Sequence, residues 1–324
     1  MRILVLGTGS IGRRHIANLQ LLAAEPDFVL LREAGRMDDF SAMLGAPVAA
    51  TMAEALSHRP DMAVIATPSH MHCEPLLSLL EAGIACYIEK PVITTLSQYE
   101  AVRDTVAALP SLPPTLVGCN FRFLPSLQVA KRLIAEGAVG RPVRVQLQVG
   151  QWLPDWRPAQ DYRQGYGADP TRGGGVVMDL IHELDIARFL FGEFRSVQAA
   201  GGHYSRLEIA SEDAAAILLS RPSGPVISVG MDYVARNPIR RYDIVGDEAT
   251  LCWDLFARSL VLHRPTGSET VDCGESAFDV AETYRVAMRH LLDAIIAERT
   301  TEENLVAALP SVELALRANK SMRE

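Results

Sequence analysis

The chain has 324 residues, about twice the usual length of a globular domain, so its length predicts two domains. Its 39 acidic and 31 basic residues give a net charge of −8, which argues against the basic face that nucleic-acid phosphates require. No apolar run approaches the ~20 residues of a membrane-spanning helix, and the N-terminus carries no signal-peptide pattern. The five scattered cysteines form no C-x-x-C pair and are typical of free thiols, so we expect a cytoplasmic protein without a structural metal site.

Strand and helix patterns alternate along the first third of the chain. Short apolar stretches predict strands at residues 2–6, 28–31, 62–66, 85–88 and 115–118, with helices at 11–22, 72–81 and 96–108. This alternation is typical of an α/β fold, a doubly wound parallel sheet with helices on both faces. We expect this first domain to occupy residues 1–120.

The pattern changes after Asn120. Here the sequence predicts a helix at 125–136, a strand at 143–151, a long loop, and a further helix after the glycines 173–175. Short strand patterns separated by turn residues then run from 196 to about 271, which favours an antiparallel sheet. Residues 121–303 are therefore predicted to form an α+β domain with a large, mostly antiparallel open sheet.

The stretch GTGSIG near the N-terminus fits the G-x-G-x-x-G pattern of dinucleotide-binding turns. It follows a predicted strand and opens a predicted helix. In that context Gly7 permits the tight turn, Gly9 admits a pyrophosphate, and Gly12 lets helix and strand pack closely. The amides of Ser10 and Ile11 at the helix N-terminus can donate to the phosphates. A glycine turn without a ligand is the alternative, but the strand–turn–helix context favours a Rossmann domain.

The end of the second strand bears on the choice of cofactor. A carboxylate there binds the ribose hydroxyls of NAD, whereas an arginine can bind the 2′-phosphate of NADP. The chain has both, as Arg32 and Glu33, with Arg36 nearby. The sequence therefore does not decide whether the cofactor is NAD or NADP.

Five motifs together resemble a known family. They are GTGSIG, ATPSHMH at 66–72, EKP at 89–91, NFRF at 120–123 and GGGVVMDLIHELD at 173–185. They follow in the order seen in the Gfo/Idh/MocA oxidoreductases, the glucose–fructose oxidoreductase and inositol dehydrogenase family, and the resemblance covers essentially the whole chain. It implies an NAD(P)-dependent enzyme that acts on CH–OH groups of sugars, amino sugars, sugar acids or cyclitols.

The resemblance also implies the catalytic residues. In that family the lysine of EKP and the histidine of the second-domain helix meet at the nicotinamide, which implies Lys90 to hold the reacting oxygen and His182 to act as base. Asp179 and Asp185 lie three residues before and after His182, about 60° around a helix on either side, so each is a candidate to orient the imidazole. Many members carry the aspartate four residues before the histidine, where this chain has Met178.

Further site residues follow from the same resemblance. Thr67, Pro68, His72, Glu89 and Lys90 are expected to line the cofactor pocket, and the Lys90–Pro91 bond is expected to be cis. Substrate contacts are expected from NFRF and from the aromatic and charged loop before the GGG helix, at Arg122, Trp156, Arg157, Tyr162 and Arg163. That loop resembles a branch associated with bacterial surface sugars, which implies an acidic or amino sugar. Packing between domains or subunits is the alternative for the loop, and no metal is expected at the H-x-H of His70 and His72.

Other functions and assemblies stay open. A non-catalytic NAD(P)-binding sugar sensor, an NAD-dependent glycoside hydrolase of the same family, and an oxidoreductase that never releases its cofactor would each carry similar motifs. Relatives associate through the free face of the second-domain sheet, which implies a homodimer or homotetramer. The resemblance further implies that the closing helix, about residues 304–322, packs back on the first domain.

Overall fold

The computed structural model of the chain describes residues 1–32, 35–156, 158 and 160–324. It divides into two compact units, Met1–Asn120 with Ala281–Leu309 and Phe121–Val280 with Pro310–Glu324. Residues 281–303, which the sequence pattern assigned to the second domain, therefore lie with the first unit. The last residues of the chain lie with the second.

The first unit is built on a parallel sheet. Its strands are β1 (Arg2–Leu6), β2 (Asp27–Leu31), β3 (Val48–Ala49), β4 (Met62–Ile65), β5 (Ala85–Ile88) and β6 (Thr115–Val117). In the part of this unit that the structure describes, they pair in parallel in the order β3-β2-β1-β4-β5-β6. This is the strand order of a doubly wound dinucleotide-binding sheet, so the predicted Rossmann fold is confirmed.

Five helices connect these strands. They are α1 (Ser10–Leu22), α2 (Asp39–Leu44), α3 (Met52–Ser57), α4 (Cys73–Glu81) and α5 (Leu96–Ala108). Asp38, Thr51 and Thr95 begin α2, α3 and α5, because each side chain accepts a hydrogen bond from a backbone amide three residues further on. The sequence pattern did not predict α2, α3 or β3, which are too short to show a clear apolar period.

The second unit is built on a larger sheet. Its strands are β7 (Pro142–Gly150), β8 (Ser196–Gly202), β9 (Ala214–Ser220), β10 (Val226–Asp232), β11 (Ile239–Gly246), β12 (Thr250–Asp254), β13 (Ser259–Arg264) and β14 (Gly267–Thr270). Within the described residues their order is β14-β13-β12-β11-β7-β10-β9-β8. The β7–β10 pair is parallel and the other pairs are antiparallel, which confirms the predicted mostly antiparallel sheet.

Helices cover one face of this sheet. They are α6 (Pro125–Ala135), α7 (Leu153–Trp156), α8 (Val176–Asp179) and α9 (His182–Phe191), of which α6, α8 and α9 contact the strands. The buried Trp253 stacks on Tyr242 at 4.5 Å and donates from Nε1 to Ser126 of α6 at 2.9 Å. Alternate strand residues point to the other face, where Leu218 is 48% exposed.

Two helices, α10 (Val280–Ile296) and α11 (Leu305–Ser321), end the chain. The segment before α11 binds the edge of the first-unit sheet, because Thr301 donates to the Thr115 carbonyl at 2.6 Å and the Leu305 amide donates to the Thr115 hydroxyl at 3.1 Å. From Pro310 onward α11 belongs to the second unit, where Ser321 accepts from the Ala199 amide at 3.0 Å. Residues Leu305–Leu309 of α11 therefore lie with the first unit and Pro310–Ser321 with the second.

Candidate active site

The glycine turn joins β1 to α1 and holds Gly7 at a φ of +90°. A Cβ atom on Gly7 would lie 2.6 Å from the carbonyl oxygen of Ala66, and one on Gly12 would lie 2.0 Å from the carbonyl oxygen of Gly7. At Gly9, no described atom lies within 4 Å of where a Cβ would be. The first and third glycines are therefore required by packing, and the second leaves its backbone open to a ligand.

Ser10 and Ile11 form the first turn of α1. The helical ladder starts with the bond from the Arg13 amide to the Gly9 carbonyl at 3.0 Å, so the amides of residues 10–12 precede it and can donate to an anion. A cavity of about 950 Å³ opens at the carboxyl ends of β1, β2 and β4, with Leu6, Arg32 and Thr67 in its wall. The open turn, the free helix amides and the cavity volume fit a dinucleotide.

Arg32 stands at the end of β2 beside the glycine turn. It donates from Nε to the Thr8 hydroxyl at 3.1 Å and pairs with Asp38 at 2.8 Å. The Arg32 guanidinium, together with the Ser41 amide, lowers the pKa of Asp38 to about 2. The charge of Arg32 is therefore balanced by a carboxylate. Glu33, the other candidate at this strand end, lies outside the described residues.

His72 connects the segments that follow β4 and β5. It is fully buried at the start of α4, one residue after the 3₁₀ turn Ser69–Met71 that Pro68 precedes. Its Nε2 lies 2.8 Å from the Thr67 carbonyl oxygen, and its Nδ1 lies 3.0 Å from the Pro91 carbonyl oxygen. His72 was expected in the wall of the cofactor pocket. In the structure its ring contacts the backbone of the loops that carry Thr67 and Pro91 and links the two.

Lys90 follows β5 at the carboxyl edge of the same sheet, and its bond to Pro91 is cis, as expected. The preceding Glu89 is buried. Its Oε1 lies 2.6 Å from Nε2 of His15 on α1, and its Oε2 accepts from the Lys90 amide at 3.3 Å. His15 had not been identified from the sequence.

In the second unit, residues 173–185 form two helices where one was predicted. Helix α8 ends at Asp179, Leu180 has the non-helical angles φ −98° and ψ 31°, and α9 begins at His182. Asp179 therefore does not lie on the same helix as His182, and the expected 60° relation between them is wrong. Asp185 does lie on α9, one turn after His182.

Asp179 is buried and held by two tyrosines. Its Oδ1 accepts from the Tyr166 hydroxyl at 2.5 Å, and its Oδ2 accepts from the Tyr233 hydroxyl at 3.1 Å. Asp179 also contributes to the wall of a small pocket of about 50 Å³, which is lined further by Trp156, Gln160, Asp161 and Tyr162. The structure thus presents an oriented carboxylate to a pocket with aromatic walls.

Asp185 is committed to a buried ion pair. It accepts two hydrogen bonds of 2.7 Å from the Arg122 guanidinium and a third of 2.7 Å from the Ser311 hydroxyl. The side chains of Arg122 and Asp185 are 13% and 1% exposed. The pair anchors the NFRF segment to α9. A substrate contact by Arg122 and orientation of His182 by Asp185 stay predictions.

His182 is buried at the start of α9, with its ring 4.9 Å from that of Phe121. The Arg240 guanidinium lies 4.4 Å from the centre of the same Phe121 ring. Arg240 also pairs with the fully buried Glu183 at 2.8 Å, and Glu183 accepts from the Tyr242 hydroxyl at 3.0 Å. These contacts fix the first turn of α9. No local sequence pattern could have identified these contacts, because the partners lie far apart along the chain.

The predicted substrate loop has an aromatic part and a charged part. Trp156 and Tyr162 line the pocket beside Asp179, and the Trp156 ring meets the Tyr233 ring edge to face at 5.3 Å. Arg157 lies outside the described residues.

Arg163, from the same loop, is engaged by carboxylates. It donates to both oxygens of Asp161, at 2.8 Å in each case, and pairs with Glu208 at 2.8 Å. The Arg163 guanidinium lowers the pKa of Asp161. Arg163 therefore holds Asp161 in the pocket wall as an ionised carboxylate near neutral pH.

Three further observations concern metal binding, membrane spanning and the cysteines. The described residues contain no cluster of three or more His, Cys, Asp or Glu side chains that could hold a metal ion. None of the helices seen in these ranges is both long and apolar enough to cross a membrane. All five cysteines lie within the same ranges and are free thiols.

Family models match both parts of the chain. Residues 1–111 match the model described as an oxidoreductase family with an NAD-binding Rossmann fold. Residues 127–252 match the GFO/IDH/MocA C-terminal domain.

Individual relatives agree with these matches. A D-apiose dehydrogenase from Paraburkholderia graminis is 30% identical over 279 residues, which cover 82% of this chain and 70% of the relative. A scyllo-inositol 2-dehydrogenase (NAD(+)) from Bacillus subtilis is 28% identical over 211 residues, covering 62% of this chain and 57% of that one. Among solved structures, a levoglucosan dehydrogenase in complex with NADH and L-sorbose superposes with a TM-score of 0.85 at 20% identity, covering 100% of this chain and 96% of the other.

Proposed function

Since the chain belongs to the GFO/IDH/MocA family of oxidoreductases with an NAD-binding Rossmann domain, we propose that it oxidises or reduces a secondary alcohol of a sugar or cyclitol. Two observations carry this proposal: the open glycine turn after β1, and the cavity of about 950 Å³ at the carboxyl ends of β1, β2 and β4, the sheet edge that also bears Lys90. The nicotinamide supplies the redox chemistry when bound, and the protein supplies binding, orientation and proton transfer.

The first unit binds the cofactor. The amides at the start of α1 donate to its pyrophosphate, and the open backbone at Gly9 gives that group room to approach. Thr67 lines the same cavity, and Arg32 borders it with its charge balanced by Asp38. Because a neutralised arginine attracts a 2′-phosphate weakly, we infer a preference for NAD over NADP.

The reaction also needs a proton acceptor and a group that stabilises charge on the reacting oxygen. We assign the first role to His182, because an imidazole exchanges protons near neutral pH. We assign the second to Lys90, whose ammonium group can donate to a developing alkoxide. Asp179, fixed by two tyrosine hydroxyls, holds a substrate hydroxyl, while Asp185 serves the fold by anchoring α9.

A cofactor titration followed by a polyol screen tests this assignment. Sugars, amino sugars, sugar acids and cyclitols are offered with NAD⁺ and NADP⁺, and absorbance at the nicotinamide band is followed. We expect turnover that is lost in His182→Ala and in Lys90→Ala, while both variants still bind NAD⁺. Cofactor binding with no absorbance change for any polyol would indicate a sensor, and sugar release without net cofactor change would indicate a hydrolase.

The pocket beside Asp179 narrows the substrate class. Its described wall carries the carboxylates of Asp179 and Asp161, while Arg163 is already engaged by two carboxylates. A sugar carboxylate would be repelled there, whereas a neutral ring or an ammonium group would not. We therefore propose a neutral or amino sugar or a cyclitol. A kcat/KM that is higher for a uronic acid than for its parent aldose would contradict this.

The open face of the second-unit sheet supports self-association. Side chains on this face are half-exposed or exposed, and a groove of about 440 Å³ crosses it near Gln148, Ala216 and Gly230. We propose a homodimer or homotetramer formed through this face. Light scattering tests the mass, and Leu218→Arg should reduce it. A wild-type monomer at micromolar concentration would exclude the assembly.

A further inference from the structure

His15 is an ionisable residue in the interior of the first unit. Its side chain is fully buried on α1, one turn past Gly12, and its ring lies 4.5 Å from the ring of Tyr87. Burying an imidazole in apolar surroundings costs free energy unless its polar atoms are satisfied. One of them is, since Nε2 lies 2.6 Å from Oε1 of Glu89.

The direction of this hydrogen bond follows from its chemistry. The oxygens of a carboxylate only accept, so the imidazole Nε2 is the donor. Glu89 is itself 7% exposed, and it receives a second hydrogen bond, from the Lys90 amide, through its other oxygen. A Cβ atom on Gly118 would lie 3.2 Å from that same oxygen, so the carboxylate has little room to move. His15 and the Lys90 amide therefore hydrogen-bond to the two oxygens of one carboxylate that has little room to move.

This chain of contacts joins two functional segments. The N-terminus of α1 carries the amides that face the cofactor phosphates, and Lys90 carries the ammonium group assigned to the reacting oxygen. His15 extends from that helix to the residue before Lys90, 74 positions further along the chain. The placement of Lys90 is thereby set relative to the phosphate-binding turn.

We propose that His15 is a positioning residue for the reaction, acting through Glu89 on the backbone of Lys90. The proposal rests on the function proposed for Lys90. Loss of the Nε2 donor leaves Glu89 without its side-chain partner and allows the Lys90 segment to shift. A displacement of about 1 Å at a group that touches the reacting atoms can lower the rate on the order of 100-fold.

The test compares four variants with the wild-type protein. His15→Leu removes the donor at similar volume, and His15→Gln restores an amide donor at about the same reach. Glu89→Gln removes the charge; its single amide oxygen can still accept from the Lys90 amide, and its NH2 group can donate to Nε2 of the other neutral tautomer of His15. Leu19→Ala, also fully buried on α1, is the control for general destabilisation of the helix.

Three measurements are made on each protein: kcat and KM with the best polyol, NAD⁺ binding, and deuterium exchange of the peptide that contains Lys90. We expect His15→Leu to lower kcat on the order of 100-fold while NAD⁺ still binds, and to speed exchange at Lys90. His15→Gln should recover most of the rate, Glu89→Gln should lose less than His15→Leu, and Leu19→Ala should keep both the rate and the exchange at Lys90.

Several results would overturn the proposal. An unchanged kcat with wild-type exchange at Lys90 in His15→Leu shows that His15 does not position it. Equal losses in Leu19→Ala, or no recovery in His15→Gln, would assign the effect to general stability. If the wild type turns over no polyol, the proposed function fails, but deuterium exchange at Lys90 still shows whether His15 holds that segment.

Discussion

The hydroxyl of Tyr166 donates a 2.5 Å hydrogen bond to Oδ1 of Asp179, opposite a 3.1 Å bond from Tyr233 to the other oxygen. Burial, reinforced by the negative charge of Asp179, raises the pKa of Tyr233 well above its usual value. Tyr233 therefore keeps its proton, and remains a donor, at any pH at which the enzyme works. Asp179 is an acceptor whose direction is set by two phenols.

We expect Tyr233→Phe to lower both activity and stability. A buried hydrogen bond to a charged group contributes about 1.5–3 kcal/mol, so the free energy of unfolding should fall by that amount. Because Asp179 also loses its orientation, kcat/KM should fall on the order of 10–100-fold. Denaturant unfolding and steady-state kinetics measure the two effects.

Tyr242→Phe is the matched control for this change. It removes an equally buried phenol that donates to Glu183 at 3.0 Å, so it should reduce stability similarly. Because Glu183 follows His182 in the first turn of α9, kcat/KM should also fall, but by less than in Tyr233→Phe. If both variants lose activity in parallel, Asp179 has no special part in the reaction.

Arg122→Gln should behave as a stability variant. Breaking a buried ion pair by removing one partner costs about 3–5 kcal/mol, and the loss should fall at or below that range because Asp185 keeps a 3.9 Å contact with Arg188. The KM for the polyol should change little. Arg132→Gln, which removes an exposed pair with Glu136, should cost no more than about 1 kcal/mol. A large rise in KM at unchanged stability would restore Arg122 to the substrate site.

Asp38→Asn should shift the cofactor preference towards NADP. The substitution leaves Arg32 with an unbalanced charge beside the glycine turn, so kcat/KM for NADP⁺ should rise relative to that for NAD⁺. Asp104→Asn, at a surface pair with Arg103, should leave the ratio unchanged. A ratio that stays the same in Asp38→Asn would show that Arg32 does not reach the ribose.

The same pair sets a pH expectation. The pKa of Asp38 falls from 3.8 to about 2 in the folded protein, so its stabilising contribution is complete above 3.8 and is lost as the pH falls through about 2. Asp38 therefore stays ionised from neutral pH down to about pH 5, and over that range the preference for NAD should change only through protonation of the NADP 2′-phosphate, whose pKa is about 6. Measuring kcat/KM for NADP⁺ relative to kcat/KM for NAD⁺ across that pH range checks this expectation.

His72 should also cause an acid-side loss of stability, at a pH nearer to neutral than that of Asp38. Burial lowers its pKa below 6.5, outweighing the carbonyls of Thr67 and Pro91 that favour the charged ring. The unfolded chain therefore binds more protons, and stability is full above pH 6.5 and declines as the pH falls towards the lowered value. The drop in melting temperature between about pH 7.5 and pH 5.5 should be smaller in His72→Gln. His263→Gln, at an exposed position, should keep the wild-type drop. A larger drop in melting temperature in His72→Gln would mean that the carbonyl oxygens of Thr67 and Pro91 raise the pKa of His72 by more than burial lowers it.

The sheet architecture was predictable because the buried strands carry their signal locally. Residues 3–6 and 62–65 are continuous apolar runs, and the glycine motif at the first turn marks a place where a helix approaches a strand closely. Strand alternation likewise indicated the second sheet, whose buried residues occupy every second position.

The site was less predictable because its geometry depends on distant partners. The break at Leu180, which separates Asp179 from the helix of His182, has no proline or glycine to signal it. Arg122 and Asp185 are 63 positions apart, and a sequence pattern cannot show that the two side chains form an ion pair. The same holds for His15 and Glu89.

The first compact unit is discontinuous along the chain, and this affects how the protein is made. During synthesis residues 1–120 emerge first, but Thr301 and Leu305, which bind Thr115 at the sheet edge, emerge only after the whole sheet of the second unit. The edge strand β6 of the nascent Rossmann sheet therefore stays uncovered until Thr301 and Leu305 have been synthesised. A fragment that stops at residue 120 should be aggregation-prone, and adding residues 281–309 as a separate peptide should restore its solubility.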